Sequence, residues 1–147
     1  MNPFLQFEMT EAGGGGILDK YIILKKIGEG GYSKVFHAQS KNGQEDVAIK
    51  IIERKNLDSE ETMYIQNEIQ ILNDLDHPNV VKMIEFEETK DKIYIVMELM
   101  KGGELFDRII EKEQFTEAEA SDILRIISDT IRYCHSLGIS HRDLKVP

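Results

Sequence analysis

The sequence is poor in the residues that mark secreted and membrane-spanning proteins. It contains one cysteine, three prolines and no tryptophan among 147 residues. Cys134 alone forms no disulfide framework within the chain, which favours a reducing compartment. No apolar run approaches the roughly 20 residues that span a bilayer, and residues 1–16 lack the basic and apolar regions of a secretory signal. We therefore expect an intracellular, cytoplasmic protein without membrane contact, with the nucleus as a further location.

Basic residues are also scarce. The chain has 18 lysines and arginines against 27 acidic residues, which gives a formal net charge of −9. A nucleic-acid-binding protein needs a basic stripe to neutralise phosphates, so this class is disfavoured. The acidity is compatible with basic peptide partners, and it also aids solubility in its own right.

Residues 1–16 end in four consecutive glycines and are predicted to form a flexible tail. Such a run has maximal backbone freedom and no side chains to bury. Folded structure is expected to begin near Ile17.

The pattern from Tyr21 to Glu98 predicts a five-stranded antiparallel sheet with one inserted helix. The helix is predicted over Glu60–Leu75, with Ser59 as its N-cap. Asn42-Gly43 is a strong hairpin-turn dipeptide between two of the strands. The predicted strands are Tyr21–Ile27, Ser33–Gln39, Asp46–Ile52, Val80–Glu87 and Lys92–Glu98.

Beyond Gly102-Gly103 the pattern becomes helical, so the fold class is predicted to be α+β. A short helix is expected over Glu104–Glu111. A long one begins at the capping box Thr116–Glu119 and ends at Leu137. Its apolar stripe consists of Ala120, Ile123, Leu124, Ile127, Ile131 and Cys134. Because Cys134 lies on this stripe, it is interpreted as a core residue rather than a nucleophile.

A glycine-rich turn, Gly28-Glu29-Gly30-Gly31, separates the first two strands. Glycines allow the backbone to approach a bound phosphate and present N–H groups to it. An ordinary hairpin also uses glycine, so the turn alone does not establish a phosphate site. A dinucleotide-binding motif is disfavoured because Val35 and Phe36 continue as a strand instead of opening a helix.

A lysine and a glutamate form the next candidate pair. Period-two alternation places Lys50 between Ala48 and Ile52 on a mostly apolar face, where it needs an anion. Helical spacing places Glu68 on the same stripe as Ile69, where a carboxylate needs a cation. The alternatives are a lysine whose amine reaches solvent and a boundary glutamate that bends outwards.

His141-Arg142-Asp143-Leu144-Lys145 follows the long helix. In order with the glycine turn, Lys50 and Glu68, it resembles the protein kinase family over Tyr21 to Lys145. Val47-Ala48-Ile49-Lys50 and His-Arg-Asp-Leu are close matches to the family's signatures, although Ser33 stands where the family has a third glycine. Lys145 resembles the serine/threonine type. Gly102–Asp107 is similar to the calcium/calmodulin-dependent group, including calcium-dependent protein kinases.

The resemblance implies a kinase N-lobe over 17–98, a hinge over 99–103 and the start of an incomplete helical C-lobe over 104–147. It implies ATP as cofactor and a protein substrate with basic residues as partner. Asp143 would be the catalytic base, and Lys50, held by Glu68, and Lys145 would contact the phosphates. The residues implied to surround ATP are Ile27, Gly28, Glu29, Gly30, Gly31, Val35, Ala48, Lys50, Glu68, Met97, Glu98, Met100 and Glu104.

Two features of the family are missing from these residues. The Asn that follows the catalytic lysine and the Asp-Phe-Gly motif would bind Mg²⁺, and neither is present. We therefore expect no metal ligands here and no turnover by these 147 residues alone. The alternative is a non-catalytic shortened isoform or interaction module that competes with a full-length kinase for partners.

Overall fold

The computed structural model describes residues 15–43, 45–112 and 114–144. These residues form two compact units. The sheet unit comprises the described residues up to Thr62 together with Ile84–Leu99. The helical unit comprises Met63–Met83 and the described residues from Met100 onwards.

A single sheet of five strands carries the first unit. Its order is β1-β2-β3-β5-β4, and the pairings of β1 with β2, β2 with β3 and β3 with β5 are antiparallel. The predicted α+β class and five-stranded sheet are confirmed. The strands are β1 (Tyr21–Glu29), β2 (Ser33–Ser40), β3 (Asp46–Glu53), β4 (Met83–Glu88) and β5 (Lys92–Glu98).

Four α-helices accompany the strands in the described part of the chain. They are α1 (Ile17–Lys20), α2 (Ser59–Asp74), α3 (Leu105–Lys112) and α4 (Glu117–Ser136), and a 3₁₀ turn covers Arg54–Asn56. The three longer helices correspond to predicted ones. The short α1 was not predicted, because one turn of helix is too short to show apolar periodicity.

Strand β1 extends to Glu29, two residues beyond the predicted Ile27, and the starts of two elements also differ from the prediction. Helix α2 is capped by Asp58 rather than Ser59: the Asp58 carboxylate accepts from the Glu61 N–H at 2.8 Å, and Glu61 accepts from the Asp58 N–H at 2.9 Å. This reciprocal pair satisfies two otherwise unpaired N–H groups. Strand β4 begins at Met83 rather than Val80, since the Val80 N–H donates to the His77 carbonyl at 3.0 Å and keeps the chain in a turn.

The two faces of the sheet differ. Opposed residues in antiparallel strands lie on the same face, so the register places Ala38, Val47, Ile49, Tyr94 and Val96 together on what we call the outer face. These side chains are buried in one cluster. The opposite face, which we call the site face, carries Val35, Ala48, Lys50 and Met97.

In the helical unit, the chain after α2 is fastened to α4 through Tyr133. The Asp76 N–H donates to the Tyr133 hydroxyl at 3.0 Å, and the His77 ring stacks on the Tyr133 ring with centroids 4.9 Å apart. Cys134 is buried on the same helix, in agreement with its interpretation as a core residue. Among the residues that the structure describes, no helix is long and apolar enough to cross a membrane.

Candidate active site

Five predicted site residues share one face of the sheet. Strand register aligns Gly28, Val35 and Lys50 in one row across β1, β2 and β3. The neighbouring row contains Ala48 of β3 and Met97 of β5. The predicted alternation along β3 therefore places Ala48 and Lys50 together on the site face.

The glycine turn joins β1 and β2 next to this face. It is closed by a hydrogen bond of 2.8 Å from the Gly30 N–H to the Ser33 carbonyl. A Cβ at Gly30 would lie only 3.1 Å from the Ser33 hydroxyl, whereas a Cβ at Gly31 would meet nothing within 4 Å. Neither residue is among the glycines with positive φ. Neither internal packing nor backbone strain therefore explains why position 31 is a glycine. The close approach of a bound group to the backbone would explain it.

The two other predicted site residues of β1 are Ile27 and Glu29, and neither belongs to this row of the site face. The register shifts between Lys26 and Gly28, which makes a bulge at Ile27 and leaves that side chain 45% exposed. Glu29 pairs with Lys26 at 2.5 Å. The hydrogen bond and charge of Lys26 lower the pKa of the Glu29 carboxyl, so Glu29 is ionised at neutral pH.

Tyr32, at the tip of the turn, was not identified from the sequence. Its hydroxyl donates to the Glu61 carboxylate in the first turn of α2, and this bond raises the pKa of the phenol. Half of the Tyr32 side chain is exposed. An aromatic residue in a glycine turn has little to pack against, and that is the sequence signal that would have indicated a polar partner for it.

A pocket of about 430 Å³ lies at the turn but does not coincide with the site face. Besides residues of the turn, it is lined by Lys34, Phe36 and Ile51. Lys34 is opposed to Ile51 and Phe36 to Ile49, so these side chains belong to the outer face. The pocket is therefore distinct from the face that carries Val35 and Lys50.

The remaining predicted nucleotide contacts are exposed. Glu98 ends β5 in the sheet unit, and Met100 and Glu104 belong to the helical unit. Glu68, on α2, is also exposed, while its neighbour Ile69 is buried. The predicted stripe is therefore buried at Ile69, and the Glu68 side chain lies at its exposed edge. Lys50 and Glu68 lie in different units, and their pairing stays a prediction.

The described part of the predicted catalytic segment, His141 to Leu144, follows α4 in irregular structure. Arg142 has a φ of 62°, in the left-handed region that non-glycine residues rarely adopt. The Asp143 N–H donates to His141 Nδ1 at 3.3 Å. The backbone thus turns sharply at Arg142, and Asp143 is solvent-exposed. Lys145 lies outside the described residues.

A groove of about 960 Å³ runs along the helical unit beside this loop. Its walls come from α2, from the turn around Val80, from α4 and from His141 and Arg142. Several apolar side chains that face or flank it on α4, including Ile126 and Ile127, are partly exposed. The long helix therefore retains an apolar surface that the described residues do not cover.

No cluster of three or more histidine, cysteine, aspartate or glutamate side chains suited to a metal ion occurs in the described part of the chain. The carboxylates named above for nucleotide contact are spread over separate elements. The described residues therefore do not fit a Mg²⁺ site by themselves, and no chemical step is assigned to the metal.

Comparison with known proteins identifies the family. The family model described as protein kinase domain matches residues 21–147. The chain is 44% identical over 128 residues to a calcium/calmodulin-dependent protein kinase type 1 of Macrobrachium nipponense, covering 86% of this chain and 37% of the relative. It is 43% identical over 126 residues to human serine/threonine-protein kinase H1, covering 86% and 29%.

A third relative is calcium-dependent protein kinase 5 of Plasmodium falciparum (isolate 3D7). The identity is 44% over 128 residues, which cover 87% of this chain and 22% of that relative. The chain thus spans less than two fifths of the length of these relatives.

Proposed function

The chain belongs to the protein kinase family, and we propose that it binds ATP on the site face and, in the whole protein, transfers phosphate to serine or threonine of a protein substrate. Kinases work chiefly by positioning the transferred phosphoryl group and stabilising its charge. In this proposal the sheet unit holds the nucleotide, and Asp143 orients the substrate hydroxyl and accepts its proton.

The main support for a nucleotide site is Gly31 together with the row of residues on the adjoining strands. Gly31 has open space around its missing side chain and no positive φ. Gly28, Val35 and Lys50 lie in one row across the adjoining strands. Exposed backbone N–H groups next to a lysine are a suitable cradle for phosphates, and the apolar Val35 and Ala48 provide contact area for a base.

The remaining assignments follow the family. We assign the hinge hydrogen bonds to adenine to the backbone of Glu98 and Met100, and a ribose contact to Glu104. Lys50 is assigned to the α- and β-phosphates with Glu68 as its partner, and Lys145 to the transferred phosphate. The proposed domains are an N-lobe over 17–98, a hinge over 99–103 and the first part of a C-lobe over 104–147.

A basic protein substrate agrees with the charge of the molecule. The sequence carries a net charge of −9, and Glu104 is exposed in the helical unit. An acidic surface attracts basic peptides over a Debye length of about 8 Å at physiological salt. Two of the relatives are named as calcium/calmodulin-dependent or calcium-dependent protein kinases, and serine/threonine specificity is proposed by analogy to kinase H1, whose name states it.

The test compares two lysines that are close in the sheet but lie on opposite faces. Lys50→Met should weaken ADP binding by at least about tenfold, because one charge-assisted hydrogen bond contributes about 1.5–3 kcal/mol. Lys34→Met removes the same charge from the outer face, where Lys34 is opposed to Ile51, and should leave the affinity within about twofold of the parent's. Isothermal titration calorimetry without metal measures both.

Equal affinities of the Lys50→Met variant and the parent protein would refute the assignment of Lys50. Absence of ADP binding by the parent itself, under conditions in which circular dichroism shows it folded, would refute the nucleotide site.

A further inference from the structure

Helix α1 lies outside the region matched by the family model, which begins at Tyr21, yet it is part of the core. Ile17 is only 2% exposed. It belongs to the same buried cluster as Ala38, Val47 and Val96 of the outer face. A four-residue helix is unstable alone, so its packing on the sheet holds it in place.

The beginning of α1 is attached to strand β4. The Ile17 N–H donates to Glu87 Oε2 at 2.5 Å, which satisfies one of the unpaired N–H groups at the start of the helix. A Cβ on Gly16 would lie 3.0 Å from Glu87 Oε1. Glycine at position 16 thus gives the carboxylate room to approach, and the residue has a structural role beyond that of a tail.

The end of α1 is attached to the same strand at Glu85, two residues before Glu87. Lys20 Nζ lies 2.5 Å from Glu85 Oε2, and the Tyr21 hydroxyl donates to Glu85 Oε1 at 2.8 Å. The Lys20 carbonyl also accepts from the Lys41 N–H at 2.9 Å. Since β1 and β4 are the two edge strands of the sheet, these contacts join one edge to the other.

We propose that α1, together with Glu85 and Glu87, forms a clasp that holds the sheet from its outer face and thereby positions the nucleotide-binding residues on its site face. Ile17 and Glu87 are positioning residues in this scheme. The clasp contacts β2, β3 and β5 through the cluster around Ile17 and β4 through the two glutamates, and it continues directly into β1. This inference rests on the proposed nucleotide binding.

The two faces are coupled because neighbouring residues of a strand point to opposite sides. Val47 and Ile49 of the outer face flank Ala48 of the site face, and Val96 of the outer face precedes Met97. A packed core transmits displacement rather than absorbing it. Removal of Ile17 would therefore leave a cavity behind the strands on which the base and phosphates are held.

The experiment uses the full 147-residue chain and two adjacent residues of α1. Ile17→Ala should weaken ADP binding at least about fivefold, the lower end of the range for coupled sites. It should also speed hydrogen–deuterium exchange of the β3 and β5 amides. Leu18→Ala is the matched control, because Leu18 is 49% exposed, and it should change neither quantity. Ile17→Leu should restore most of the affinity.

Two further variants separate positioning from loss of stability. Glu87→Ala keeps Ile17 and removes the acceptor of its N–H, so it should weaken ADP binding in the same direction by a smaller factor. Cys134→Ala removes a buried group of the helical unit and should lower the melting temperature without changing ADP affinity or exchange in β3. Binding is measured well below the lowest melting temperature of the set.

The clasp is refuted if Ile17→Ala and Glu87→Ala keep the parent's exchange rates in β3 and β5. It is also refuted if the ADP affinity of all the variants, Cys134→Ala included, simply follows their melting temperatures. If the parent binds no ADP, the proposed function fails, and the exchange rates alone decide for or against the clasp.

Discussion

At the scale of single residues, Tyr21 and Tyr32 each donate a hydroxyl to a glutamate. Burial and the bond to Glu85 raise the pKa of Tyr21 to about 12. The Glu61 carboxylate raises the pKa of Tyr32. Burial disfavours the ionised phenol of Tyr21 most, and in both tyrosines ionisation would also place a second negative charge beside a carboxylate. One bond ties the start of β1 to β4 and the other ties the glycine turn to α2.

These bonds predict how stability depends on alkaline pH. The raised pKa of Tyr21 means that its stabilising contribution is complete below the ordinary value of 10.0 and is lost as pH rises towards about 12. Tyr21→Phe should therefore unfold with a shallower dependence on pH between these limits than the parent, as measured by urea denaturation. Equal slopes for the two proteins would contradict the bond to Glu85.

Glu85, the partner of Tyr21, makes the stability depend on acidic pH as well. Burial would raise the pKa of Glu85, but the hydrogen bonds from Lys20 and Tyr21 outweigh it and lower the pKa below its ordinary value. The contribution of ionised Glu85 is therefore present above pH 4.5 and is lost as pH falls below that value. The contacts of the clasp with Glu85 are thus strongest around neutral pH.

At the scale of elements, long patterned segments were predictable and short ones were not. Alternation of β-branched residues located β2, β3 and β5 within one residue of their ends. The capping box at Thr116 located the start of α4, and its cap geometry is present as predicted. Helix α1 was missed because its stability comes from tertiary contacts of Ile17 and Glu87, which leave no local pattern.

The candidate site was predictable to the extent that strand periodicity determines it. Ala48 and Lys50 share a face because residues two apart in a strand must. Helical spacing placed Glu68 beside Ile69, and Ile69 is buried whereas Glu68 is exposed. Spacing alone therefore indicated the stripe but not how far the carboxylate is buried. The bond from Tyr32 to Glu61 joins residues far apart in the sequence. The aromatic residue in the turn indicates a polar partner, but no spacing rule identifies Glu61 as that partner.

The capping box of α4 carries a prediction at this scale. The Thr116 hydroxyl accepts from the Glu119 N–H at 3.2 Å, and Glu119 accepts from the Thr116 N–H at 3.0 Å. Thr116→Ala should lower the free energy of unfolding by about 1 kcal/mol, whereas Ser121→Ala, on the exposed surface of the same helix, should change it little. Urea denaturation followed by circular dichroism measures both, and an equal effect of the two changes would contradict the cap.

Glu119 makes this cap sensitive to acid. The hydrogen bond from Lys112, with those from Thr116, lowers the pKa of Glu119 from 4.5 to about 2. The contribution of the ionised carboxylate is therefore present above pH 4.5 and is lost as pH falls towards 2. The difference between Thr116→Ala and the parent should accordingly shrink over that range.

At the scale of the whole molecule, the family match supports a kinase and adds nothing to the interaction-module hypothesis. The match to the protein kinase domain covers residues 21–147. The groove of the helical unit and the exposed Ile126 and Ile127 do not identify a partner by themselves. The relatives are more than twice as long as the matched region.

These considerations predict that nucleotide binding and turnover separate in the 147-residue polypeptide. With ATP, Mg²⁺ and a basic serine-containing peptide, we expect no phosphate transfer above that of the Asp143→Asn variant, although the parent should bind ADP. The described residues contain no metal cluster, and phosphoryl transfer depends on metal ions that neutralise the developing charge. A radiolabelled phosphate assay measures the transfer. Metal-dependent phosphorylation that Asp143→Asn abolishes would overturn the prediction. It would mean that carboxylates within these residues bind Mg²⁺, together with the phosphates, well enough for catalysis.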